Sequence, residues 1–425
     1  MLTLRDTTPS SRRYGFTLIE MMVAMVLFSF VLLALLTIFD FSDKLARAQT
    51  QITDVQQSLR TAQYDVIRLI RMAGRGPLPL RVAGAPGKQI PQALAVEVNN
   101  NVLANTQIGV TSGPKVVAST DVLTIRGVFG SGLYQVNHAD PTTFTKTAGG
   151  GTIVIEDKTP TAVPQVLAEI IRTACDDIDE ALVIVSPLDD SNFVVVELDS
   201  AATKAGTNCG APSTVTSLTV TFKWSGGSNT AAYQGLSPPG AGGAFPAALT
   251  SVAFLGVLEE HRFYVREIYA VPNDATTRMM PRFSRARVFP GTNVVYRNLD
   301  NWVNDIADDI FDLQVAIGLD ADDDGAILDS GDATDEWLYN HPGDDDSQAQ
   351  WNTVAATGDP TRLFNLRLTT LARTALRDTS YQAPLLTLVE DHDYTVAPST
   401  RFNQLAERRH RQRRLQTVID MRNVS

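Results

Sequence analysis

Residues 15–39 read G-F-T-L-I-E-M-M-V-A-M-V-L-F-S-F-V-L-L-A-L-L-T-I-F. From Met21 to Phe39 there are nineteen residues without a charge, a Pro or a Gly. As a helix they span roughly 28 Å, close to the ~30 Å hydrocarbon layer of a bilayer. Arg5, Arg12 and Arg13 stand before the run, and basic flanks stay on the cytoplasmic side. The expectation is a single-pass chain with a cytoplasmic N-terminus and its bulk across the membrane. Cleavage as a secretory signal would fall at small residues after the run. There, D-F-S-D-K-L-A-R-A-Q (40–49) continues directly into a helical pattern, so the anchor is expected to be kept.

The helix should extend well beyond the apolar run. No Pro or Gly occurs from Phe16 to Ala73, and Leu45, Ala48, Ile52, Val55, Leu59, Ala62, Val66 and Leu69 recur at spacings of three and four. That stripe predicts one amphipathic helix of about 58 residues, roughly 87 Å long. Its second half is expected to lie on a globular head, a free coiled coil being the alternative. Gly74, Gly76, Pro77 and Pro79 end it. Strand-like runs follow at Val122–Val128, Ala181–Ser186, Phe193–Leu198, Leu218–Trp224, Phe263–Val271, Phe364–Leu371 and Leu415–Met421. Leu218, Val220, Phe222 and Trp224 alternate as in a strand with one buried face. The fold class is therefore α+β: a long N-terminal membrane-spanning helix packed on a large β-rich head, residues 74–425. Ser237–Pro246 and Gly149–Gly151 lack a periodic pattern and read as exposed connections. No repeat occurs, and no linker is long enough to divide the head.

The 425 residues are 44% apolar and 20% charged with a net charge of −11, a globular composition. Residues 298–361 hold seventeen Asp or Glu and no Lys or Arg, so the remainder sums to −11 + 17 = +6. This balance argues against nucleic acid as a partner. The basic cluster Arg408–Arg414 reads as a solvated turn before a last strand, an anionic partner being the alternative. Cys175 and Cys209 are too few for a thiolate zinc site. In an oxidising compartment they would pair, closing a loop of about thirty residues worth roughly 3–4 kcal/mol; two unlinked thiols remain the alternative. Phosphate-loop, dinucleotide, zinc-protease, nucleophile-elbow and C-x-x-C motifs are absent. Glu390-Asp391-His392-Asp393 reads as a surface turn, and catalysis is not expected.

Glu20 is the unusual residue of the anchor, because a carboxylate at the membrane is costly unless it has a partner. The string R-R-Y-G-F-T-L-I-E-M-M-V-A-M (12–25) resembles the class III signal of type IV prepilins. That resemblance implies cleavage by a prepilin peptidase between Gly15 and Phe16, N-methylation of Phe16, and pairing of Glu20 with a neighbouring subunit's terminal amine. Residues 1–15 would then be a cytoplasmic leader, 16–73 the pilin helix with its transmembrane part at about 21–39, and 74–425 a periplasmic head. Pilins commonly have a helix-bending Pro where this chain has Thr37. V-I-R-L-I-R-M-A-G (66–74), D-V-L-T-I-R (121–126), D-I-F-D-L-Q-V-A-I-G-L-D (309–320) and R-R-L-Q-T-V-I-D-M-R-N (413–423) resemble the PilW-like minor pilins of type IV pilus systems.

Within the acidic segment, Asp320-Ala321-Asp322-Asp323-Asp324-Gly325-Ala326-Ile327 fits D-x-D-x-D-G. Calcium takes six to eight hard oxygens, and acids at alternate positions of a turn that Gly lets reverse can supply them. Asp320, Asp322 and Asp324 would ligate by side chain, Ala326 by its carbonyl, and Asp329 or Asp332 would close the shell. The twelfth position is Gly331 rather than Glu, so the loop is not a complete EF-hand; a solvated acidic loop is the alternative. Asp344–Asp346 read as solvated.

The resemblance implies a minor type IV pilin of the PilW kind, acting in pilus assembly and initiation. Its partners would be prepilin peptidase, other minor pilins, the major pilin and inner-membrane lipid. A type II secretion pseudopilin (J-like) and a membrane-anchored binding protein or adhesin are the other two readings.

Overall fold

The computed structural model describes residues 15–74, 95–103, 106–108, 115–130, 134–136, 143–156, 165–186, 193–210, 215, 217–237, 244–247, 249–269, 271, 274, 276, 278–296, 303–320, 324–330, 335–343 and 364–421. Their order is α1 (Leu18–Ile70), β1 (Val96–Asn99), β2 (Val122–Gly127), β3 (Tyr134–Gln135), β4 (Phe144–Thr147), β5 (Gly150–Glu156), α2 (Gln165–Cys175), β6 (Ala181–Val185) and β7 (Phe193–Leu198). Then come α3 (Ser200–Ala205), β8 (Ser217–Lys223), α4 (Thr230–Gly235), β9 (Phe254–Val257), β10 (Glu259–Tyr269), β11 (Met279–Val288), β12 (Val303–Asp308) and β13 (Ile310–Leu319). The chain ends with β14 (Trp337–Leu338), β15 (Phe364–Arg373), β16 (Leu388–Val389), β17 (His392–Asp393), a 3-10 turn (Ser399–Asn403), α5 (Leu405–Arg408) and β18 (Gln412–Asp420). It divides into two compact units, Met1–Asp54 and Val55–Ser425.

The α+β expectation holds. Among the described residues the strands form sheets ordered β1-β2-β10-β11-β12, β14-β13-β15-β18 and β3-β9-β6-β7-β8-β5-β4, plus the ribbon β16-β17. The first two share a core with the C-terminal part of α1. Val55, Leu59, Ala62, Val66, Leu69 and Ile70 meet Leu123, Phe263, Phe283, Leu313, Val315, Leu366 and Ile419 there. Each such large side chain contributes roughly 1.5–3 kcal/mol by leaving water. Leu45, earlier on the same stripe, is 49% exposed. The helix stops three residues before Ala73. Met72 and Ala73 turn their N–H groups onto Leu69 and Ile70, and Gly74 takes the left-handed conformation that favours glycine beyond a helix end.

The seven-stranded sheet has a core of its own, where Leu167, Ile170, Ile171 and Ala174 of α2 cover Ile153, Leu182, Val196 and Val220. Two expectations are corrected here. Gly150 and Gly151 belong to β5, not to an exposed connection. A Cβ on Gly150 would sit 2.1 Å from Phe222 O, and one on Gly151 2.2 Å from Thr145 O, so only glycine lets these strands close. In the loop before β9, Phe245 is buried and packs edge-on against Trp224 at 5.4 Å. A large aromatic follows the available core rather than the polarity of its neighbours. Cys175 and Cys209 form a disulfide with a Cα–Cα distance of 5.8 Å, tying the end of α2 to the segment before β8.

Candidate functional site

The N-terminal segment is built around Thr17 and Glu20. Thr17 N and Thr17 Oγ1 both donate to Glu20 Oε2 at 2.9 Å, and Glu20 N donates to Thr17 Oγ1 at 3.3 Å. This reciprocal pattern is a capping box, which satisfies N–H groups that the first turn of a helix leaves unpaired. Glu20 therefore has a partner inside its own chain, and T-x-x-E before an apolar run was the readable signal for it. Gly15 has no atom near its Cβ direction, and Phe16 is 89% exposed. Arg5, Arg12 and Arg13 lie outside the described residues.

Beyond the cap, the apolar side chains of residues 16–41 are exposed. The best window of α1 has a mean hydropathy of 2.8, long and apolar enough to cross a membrane. Thr37 Oγ1 donates to Ala34 O and Ser29 Oγ to Met25 O. Hydroxyls satisfied by the helix's own carbonyls cost little in lipid.

In the acidic segment, Asp320 is buried and its carboxylate accepts from Asp324 N at 3.1 Å and Gly325 N at 2.8 Å. Asp324 Oδ1 accepts from Ala326 N at 2.8 Å. Gly325 has a φ of +86°, the conformation that lets the turn reverse. Asp329 is turned to Arg367, which also holds Glu390 at 2.7 Å. Asp322 and Asp332 lie outside the described residues, as do Asp344–Asp346. Among the described residues no three His, Cys, Asp or Glu side chains converge as a metal site. Of the ligands expected from the sequence, Asp320, Asp324, Ala326 and Asp329 are the described ones, and the Asp320 and Asp324 carboxylates accept backbone N–H groups of their own turn.

Two clusters differ from their sequence reading. The residues Arg408–Arg414 do turn into the last strand, with Arg413 and Arg414 exposed, but Arg408, Arg411 and Arg414 each have a partner within the chain. Arg408 Nε donates to Ala383 O, Arg411 pairs with Asp378 at 2.8 Å, and Arg414 reaches Glu390 at 3.5 Å. His410 within that turn is fully buried, and burial pushes its imidazole down to about 4. The Glu390–Asp393 segment forms the β16–β17 hairpin, yet Glu390 and His392 are buried rather than solvated. Glu390 takes Arg367 and the Thr369 hydroxyl, while His392 lies against Asp312 and Ser399. Sequence reasoning missed both because their partners stand on other strands.

Comparison with known families gives one finding: residues 10–36 match the prokaryotic N-terminal methylation motif. No curated protein and no solved structure matches the chain. The motif supports a type IV pilin or pseudopilin, matured by prepilin peptidase and assembling with other pilins. Together with the apolar helix it supports membrane anchoring of a pilin-like protein.

Proposed function

We propose that the chain is a minor type IV pilin of the PilW kind. It is cut between Gly15 and Phe16, methylated on Phe16, held in the inner membrane with its head in the periplasm, and then packed by its helix into a pilus or its initiating complex. The observation that carries this reading is the methylation motif at residues 10–36 opening an apolar helix. In a filament, protein replaces lipid around that helix, so extraction need not expose it to water.

The deciding experiment deletes the gene and complements it, then measures sheared surface pili, twitching and secretion of type II substrates. Loss of pili and twitching with normal secretion is the expected result. Intact pili with failed secretion would move the chain to the pseudopilins, and no change in either would mean an anchored binding protein.

The same reading places calcium in the turn around Asp320, held by the side chains of Asp320 and Asp324 and the Ala326 carbonyl. Bound ion would neutralise the clustered carboxylates and stiffen the loop. A ligand that binds only the folded state raises the melting temperature. The purified protein should melt higher in calcium than in chelator, and Asp320→Asn should abolish the difference; equal melting points for the wild type would remove calcium from the reading.

A further inference from the structure

Asp312 of β13, His392 of β17 and Ser399 at the start of the 3-10 turn form one connected group, respectively 0%, 2% and 2% exposed. His392 Nδ1 lies 3.0 Å from Asp312 Oδ2, and its Nε2 lies 2.6 Å from Ser399 Oγ. Their neighbours fix where the protons sit. Gln314 Nε2 is 3.0 Å from His392 Nδ1, but its two hydrogens have acceptors in Ser119 O at 3.1 Å and Asp312 Oδ1 at 2.9 Å. Nδ1 thus keeps its own hydrogen for Asp312 Oδ2, and the lone pair of Nε2 faces the Ser399 hydroxyl. Tyr394 donates its phenol to Asp312 Oδ2. The Tyr394 ring stacks on the imidazole at 4.2 Å and 15°, which holds the imidazole plane.

Ser399, the last residue of this relay, belongs to the lining of a cavity. Ser399 lines a space of about 550 Å³ together with Val116, Val117, Tyr269, Met279 and Phe402, an apolar and aromatic wall. Lys115 lies on the same wall, as does Arg401, whose charge is offset by Glu267 at 3.1 Å.

We propose that Ser399, His392 and Asp312 make an acyl-transfer site that hydrolyses carboxylic esters carrying an apolar acyl group. Ser399 Oγ attacks the ester carbonyl while its proton passes to His392 Nε2. The tetrahedral adduct collapses with cleavage of the bond to the alcohol oxygen, which leaves with the proton from Nε2. Water then adds to the acyl-serine, giving a proton to Nε2 that returns to Ser399 Oγ as the carboxylic acid departs. Ser399 and His392 are the catalytic residues of this scheme. Asp312 is a positioning residue that fixes the imidazole tautomer and steadies the imidazolium. Lys115 brings positive charge to the cavity in which the carbonyl oxygen turns negative.

The test uses the full chain purified in detergent, treated with a fluorophosphonate and mapped by peptide mass spectrometry, with p-nitrophenyl butyrate hydrolysis measured alongside. The expected result is a phosphonyl adduct on Ser399, loss of hydrolysis in Ser399→Ala, and at least a tenfold slower labelling in Asp312→Asn at unchanged circular dichroism. The absence of an adduct at Ser399 in folded wild-type protein, with a control serine hydrolase labelled in parallel, would overturn the proposal. So would hydrolysis that persists in a folded Ser399→Ala. Should that variant fail to fold, the mapped wild-type adduct decides alone.

Discussion

Gln63 is the one polar residue among the buried positions of α1, and its amide is fully used. Its Nε2 donates to Leu415 O at 3.0 Å and Thr370 Oγ1 at 3.1 Å, while Thr417 Oγ1 donates to its Oε1 at 2.7 Å. These bonds set the helix at one height against β15 and β18, something an apolar stripe alone does loosely. Gln63→Leu keeps the volume and orphans those partners, so it should cost about 1–3 kcal/mol in urea denaturation. No loss would mean that packing alone sets the register. Glu20 raises a different question, because its capping box already gives it a partner. Glu20→Gln keeps the capping geometry, since Gln serves at that position, and removes the charge. It should insert in the membrane normally but fall well below the wild-type amount in sheared pili by immunoblot. Normal incorporation would make helix capping the whole role of Glu20.

At the scale of elements, α2 depends on both its apolar face and its disulfide to the segment before β8. Replacing Cys175 and Cys209 by Ala should lower stability by about 4 kcal/mol, the loop-closure value for a separation of 34 residues, read as a lower urea midpoint with an intact β-rich circular dichroism spectrum. An unchanged midpoint would mean that α2 is held by packing alone. Elements whose signal is local were legible in the sequence: α1 through its three-and-four spacing, and β6, β7 and β8 through apolar runs or strict alternation. Long-range readings were not. β13 is buried on both faces, with Leu313, Val315, Ile317 and Leu319 toward α1, so Asp312 and Gln314 on the other face break no visible pattern. His392 meets Asp312 across 80 positions, and nothing near either residue announces the other. The buried Phe245 was hidden for the converse reason, since Gly and Pro around it spoke only for the backbone.

Across the whole head, the five-stranded and seven-stranded sheets meet through buried charge. Glu180, just before β6, takes Arg287 of β11 at 3.1 Å, and Arg287 also reaches Glu259 at 3.4 Å, which in turn holds His261 at 3.2 Å. Burial pushes the Glu180 carboxyl up to about 7, against the pull of Arg287 and with the help of the Glu259 and Glu169 charges. A carboxyl raised in the folded state binds its proton there more tightly than in the unfolded chain. Its contribution to stability is full below pH 4.5 and is lost as the pH rises to about 7. The ceiling of that loss is about 3 kcal/mol. Burial lowers the His261 imidazole, which acts in the opposite sense below pH 6.5, so the wild-type curve alone mixes the two. Comparison with Glu180→Gln isolates the carboxyl, because the amide cannot titrate. The stability of wild type relative to Glu180→Gln, from urea midpoints at intervals between pH 4.5 and 8, should fall steadily and level off above pH 7. A flat difference across that range would mean that Glu180 is ionised throughout and that Arg287 outweighs the cost of burying it.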